Sequence, residues 1–137
     1  MTTFETIVRG LLANGIGARF RAAGDSMDPT IRSGDVVDIE PCDVSLLRRG
    51  EIILARTPRG LTLHRIVRIS SRGIEMRGDN ASCADPLVAV ESVLGRASVR
   101  GSTGNRGRIR RKSVKIIRLA GRFGRRLRTR LQHSFRR

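Results

Sequence analysis

Ser26 lies in the segment Gly24-Asp25-Ser26-Met27-Asp28-Pro29-Thr30, a turn-forming stretch that exposes a hydroxyl while Pro29 stiffens the chain behind it. His64 is the one imidazole in the part of the chain that also carries carboxylates, and a second polar cluster, Gly78-Asp79-Asn80 with Asp85 six residues past Asp79, supplies groups to hold it. A hydroxyl that attacks, an imidazole that takes its proton and a carboxylate that steadies the imidazole are the working parts of a nucleophilic hydrolase. Each has a plainer role when taken alone. A turn serine can bond its own backbone, a strand histidine can be satisfied by its neighbours, and an aspartate can cap a turn.

These groups need elements to carry them. Phe4, Ile7, Val8, Leu11 and Leu12 recur at helical spacing, and Asn14-Gly15 is a natural stop, so a short amphipathic helix is predicted over residues 4–14. From Ile16 onward the pattern changes to short runs rich in Val, Ile and Leu, at about 17–23, 35–40, 51–57, 61–70, 73–77 and 93–99. Ser33-Gly34-Asp35, Arg49-Gly50-Glu51, Pro58-Arg59-Gly60 and Arg72-Gly73 read as the turns between them. The spacing predicts a small, mostly antiparallel all-β domain over residues 1–99. Residues 100–107, rich in Gly, Ser and Asn, form a linker by composition. In the segment 108–137, Ile116, Ala120, Phe123, Leu127 and Leu131 recur every three or four residues among arginines, the pattern of a basic amphipathic helix weakened by Gly121 and Gly124.

Charge divides the chain at the same place. Residues 1–99 hold 13 Arg and 12 Asp or Glu, whereas residues 100–137 hold 15 Lys or Arg and no acid. The formal charge of +16 therefore belongs almost wholly to the tail. Both lysines, Lys112 and Lys115, lie in that tail, so the body has none. Cys42 and Cys83 form no CxxC pair and lack metal-ligand spacing, which points to two reduced thiols and to no metal or cofactor. No run approaches the length of a membrane span, and the first ten residues lack the basic start of a secretory signal.

The segments GDSMDPTIRSGDVVDIE, LRRGEIILAR, LTLHRIVRI, MRGDNASCAD and VLGRA, in that order across residues 18–99, resemble the boxes of the signal peptidase and LexA-type serine peptidase superfamily. The Gly-Asp-Asn box with an aspartate six positions on is more similar to the signal peptidases. The resemblance implies a coiled, barrel-like antiparallel β domain with Ser26 as nucleophile. Bacterial signal peptidases and LexA-type proteins use a lysine base, kept neutral by burial. Here the matching position is His64, as in the histidine type of signal peptidase. An imidazole, with an ordinary pKa near about 6.5, needs little tuning for that task. Asp79 and Asp85 match the two aspartates of the histidine type. Asp85 is expected to orient His64, and Asp79 to shape its turn by bonding backbone amides. The amide of Ser26 is the natural oxyanion donor. Gly24 stands where many signal peptidases add a hydroxyl.

The signal peptidases' membrane anchor and the LexA-type DNA-binding domain both lack room before Ser26. The expectation is a near-bare catalytic domain in the cytoplasm, acting on a peptide or protein with small residues before the cut. The tail adds three readings: a solvated extension, a peripheral helix on an anionic membrane, or a nucleic-acid contact, the last disfavoured by its scarcity of aromatics. A non-catalytic or self-cleaving regulatory module is the rival to the peptidase. Ala23-Gly24, an Ala-Gly pair of the kind such modules cleave, lies too close to Ser26 to be cleaved in cis.

Overall fold

In the computed structural model, residues 2–99 and the backbone of residues 113–115 are described. Helix α1 (Thr3–Ala13) starts at a capping box: the Thr2 hydroxyl accepts from the Glu5 amide at 3.2 Å, and Glu5 Oε2 accepts from the Thr2 amide at 2.7 Å. Such a cap contributes about 1 kcal/mol. Val8 and Leu12 are buried, and Phe4 packs edge-on against Phe20, with ring centroids 6.2 Å apart. Ile7, grouped by spacing with the apolar face, is instead 46% exposed. One residue is about 100° of helix rotation, which carries Ile7 off a stripe centred on Val8 and Leu12.

Strands β1 (Gly17–Arg21), β2 (Val36–Glu40), β3 (Ile52–Thr57), β4 (Gly60–Ser70), β5 (Gly73–Arg77) and β6 (Val93–Val99) pair antiparallel throughout. A three-residue strand, β7 (Ser113–Lys115), adds to β1 in parallel. The order is β5-β4-β3-β6-β2-β1-β7. The all-β architecture with one short leading helix is therefore present, as an open sheet rather than a closed barrel. Two single-turn 3₁₀ helices, Val44–Leu46 and Val90–Ser92, precede β3 and β6. Asp43 caps the first by accepting from the Ser45 amide at 2.9 Å.

β3 holds the centre. Its run Ile52-Ile53-Leu54-Ala55 is buried on both faces, as an unbroken apolar strand must be. Ile52 and Leu54 join α1, β1, β2, Met27 and Ile31 in one core, while Ile53 and Ala55 join Leu47, Ile66, Ile74, Met76 and Val88 in a second. Burying an Ile, Leu or Met side chain contributes about 1.5–3 kcal/mol. The coiled sheet thus encloses two cores with β3 as their common wall.

At residues 113–115, inside the segment expected to be a basic helix, the chain is a strand. The rest of that expected helix, and the whole of the expected linker, lie outside the described residues. Among the described residues no helix is long and apolar enough to cross a membrane.

Candidate active site

Three segments meet around Ser26. The turn after β1 carries Ser26, β4 carries His64, and the loop after β5 carries Gly78 to Asp85. The Ser26 turn is anchored from below by Met27 and Ile31, which are 4% and 2% exposed, so Ser26 between its neighbours stays at the surface. Backbone bonds tighten the turn: Asp28 N donates to Asp25 O at 3.0 Å, and Ile31 N to Met27 O at 2.9 Å. The Asp28–Pro29 peptide bond is cis. Gly24 enters the turn at a φ of +91°, left-handed backbone that favours glycine. A hydroxyl-bearing residue would be strained there, which accounts for the departure at this position.

His64 is 6% exposed and stands opposite Ile53 on β3. Its Nε2 lies 3.0 Å from Ser26 Oγ, and its Nδ1 is hydrogen-bonded to Asp85 Oδ2. The Asp85 side chain is itself 8% exposed. Its amide donates to Met76 O at 2.8 Å, which ties the carboxylate-bearing loop to β5. Hydroxyl, ring and carboxylate therefore form one hydrogen-bonded line across 38 and 21 positions of sequence.

Gly78 closes the arrangement from the side. Asn80 N donates to Ser26 O at 2.8 Å and Asn80 Nδ2 to Asp25 O at 3.1 Å, which draws the Gly78-Asp79-Asn80 turn onto the serine. A Cβ at residue 78 would collide with the Ser26 carbonyl and stand 3.0 Å from His64 Nε2. Only glycine lets the backbone pass so close. The Asp79 amide faces the buried Met27 sulfur at 3.4 Å.

Asp79 does not act within its own turn as its box position suggested. Its carboxylate receives a fork from Arg65, with Nε on Oδ1 at 2.8 Å and Nη2 on Oδ2 at 2.7 Å, and it also accepts from the Thr30 hydroxyl. The Arg65 guanidinium holds the Asp79 carboxyl below the usual carboxylate range against the opposing pull of partial burial, with Thr30 adding to the depression. Arg65 also donates from Nη1 to Gly50 O at 2.7 Å. Arg65, Thr30 and Gly78 were not singled out from sequence. An arginine next to a strand histidine reads as a solvated face, and only folding brings residues 30, 50, 65 and 79 together.

A line of this kind can move a proton from hydroxyl to imidazole while the carboxylate stabilises the resulting imidazolium. Among the described residues, no three His, Cys, Asp or Glu side chains converge as ligands for a metal ion. Cys42 is partly buried, which pushes its thiol pKa up, and Cys83 is exposed in the loop before Asp85. The family model described as Peptidase S24-like matches residues 13–98, which contain all the residues of this site. No curated protein and no solved structure matches the chain.

Proposed function

From the premise that the chain belongs to the Peptidase S24-like family, within the LexA and signal peptidase superfamily, we propose that it is a serine endopeptidase using Ser26 and His64, with Asp85 orienting the base. The observation that carries this reading is the Ser26 Oγ to His64 Nε2 separation of 3.0 Å, with Asp85 on the far nitrogen of the ring. In the first half-reaction His64 Nε2 takes the Ser26 proton as Oγ bonds to the scissile carbonyl carbon. The imidazolium then gives that proton to the leaving amine as the C–N bond breaks. In the second half-reaction Nε2 deprotonates a water that attacks the ester, and Oγ leaves with the proton. Asp85 keeps Nδ1 as the protonated nitrogen, so Nε2 presents its lone pair to the hydroxyl. The Ser26 amide serves as oxyanion donor. Substrates carry small residues before the scissile bond and bind extended along the sheet.

The test is to incubate the protein with peptides containing small-residue pairs and to compare it with Ser26→Ala and His64→Ala by mass spectrometry. Each substitution is expected to lower turnover by about 10⁴-fold or more with the fold intact. Wild-type turnover retained by His64→Ala would refute the dyad. Absence of cleavage by the folded wild type would favour the non-catalytic binding module instead, and equal cleavage by wild type and Ser26→Ala would exclude Ser26 as the nucleophile.

A further inference from the structure

Ser26 and His64 are carried by different elements, the turn after β1 and strand β4, and meet at 3.0 Å. The nucleophile turn is anchored through Met27 and Ile31 in the core shared with α1, whereas β4 packs Leu61 and Leu63 against that core and Ile66 in the other. A hydroxyl–imidazole contact between two such elements is set by how they are held, and the Oγ–Nε2 bond itself must break at every turnover. Something else has to keep the register while it does.

We propose that Arg65 is a positioning residue, which together with Asp79 and Thr30 clamps the nucleophile turn to the base-bearing strand. Every nitrogen of its guanidinium is engaged. Nε and Nη2 fork the Asp79 carboxylate, Nη2 also reaches Thr30 Oγ1 at 3.5 Å, and Nη1 takes Gly50 O. Thr30 lies four residues after Ser26 and donates to the same carboxylate, so the nucleophile turn is joined to β4 through two charge-assisted links. Arg65 follows His64 directly on β4, and Asp79 follows Gly78, the residue packed against both reacting groups. The Arg65 side chain is 32% exposed and that of Asp79 17%, so the network lies at the rim and leaves the reacting atoms free. Lysine cannot reproduce it, since an ammonium has no planar fork with which to satisfy a carboxylate, a carbonyl and a hydroxyl together. Misplacement by about 1 Å costs about a hundredfold in rate, so the clamp acts on the bond-forming step and leaves ground-state binding alone.

This inference rests on the peptidase reading, and the experiment separates the two. The probe is a fluorophosphonate that phosphonylates an activated serine, with fluoride as leaving group, and the saturating rate kinact and the half-saturation KI are measured separately. Wild type should label at Ser26 and Ser26→Ala should not. A wild-type protein that is not labelled at Ser26 overturns the peptidase reading and this inference with it. Given labelling, Arg65→Lys and Arg65→Gly are expected to lower kinact by about tenfold to a hundredfold with KI unchanged and a cooperative melt retained. Added guanidinium ion is expected to restore much of the rate to Arg65→Gly, and methylammonium to restore none. Full kinact in folded Arg65→Lys, or a loss in Arg65→Gly that guanidinium leaves unrepaired, overturns the inference alone. Should the Arg65 variants fail to fold, Thr30→Val removes one hydroxyl from the same network and carries the same expectation of a lower kinact at constant KI. A full rate there is equally decisive against it.

Discussion

The two aspartates of the Gly-Asp-Asn loop have divided their labour through geometry. Asp85, folded back under β4 by the bond from its amide to Met76 O, reaches the imidazole, and its side chain is almost wholly out of water. Asp79 turns to the rim, where a guanidinium and a hydroxyl fill its lone pairs. Asp85→Asn isolates the first role. The amide is nearly the same size, but its NH₂ favours the His64 tautomer with the proton on Nε2, the wrong nitrogen for a base. Turnover is expected to fall by about 10³–10⁴-fold with little change in KM or in thermal stability. A folded Asp85→Asn protein that retains near-native kcat would remove Asp85 from the mechanism. His64 and Asp85 were legible from their boxes. The partner of Asp79 was not, because a fork between residues 14 positions apart, on a strand and a loop, has no periodicity to betray it.

At the level of elements, strands β1 to β6 were readable to within a residue or two, since each run of branched apolar residues ends at a Gly, Pro or Asp turn, whereas β7 fell in the segment expected to be a helix. The 3₁₀ turns at 44–46 and 90–92 were missed because three residues carry no helical period. Unforeseen too was that β3 serves two cores, although the unbroken Ile52–Ala55 run held the signal. The contact between the turn after β1, the strand β4 and the loop after β5 has a pH signature of its own. Because Arg65 depresses the Asp79 carboxyl in the folded state, that group contributes stability above its unfolded pKa of about 3.9. The contribution is lost as the pH falls through the lower folded-state value. Urea denaturation should show wild type more stable than Asp79→Asn at pH 6, with the gap closing below about pH 4. A gap that stays constant to pH 2.5 would mean that the carboxylate's charge does not hold these elements together.

For the molecule as a whole, the family match covers the body while leaving the tail beyond residue 98 outside it. The body is near neutral and packed around a shared wall. Ser26 and His64 are carried by separate elements, so a small relative movement of the Ser26 turn and β4 parts them before either core is exposed. Labelling of Ser26 by the fluorophosphonate is therefore expected to fail at a lower urea concentration than the β-sheet circular dichroism signal. Coincident midpoints would show that the site opens only with global unfolding. β7 runs in the same direction as β1, pairing Ser113–Lys115 with Gly17–Arg19, and ends at Lys115. Eight of the tail's arginines follow that point, with no acid among them. Polyanions drawn by that charge would bind the tail with a strong dependence on ionic strength, and the near-neutral body would add little to it.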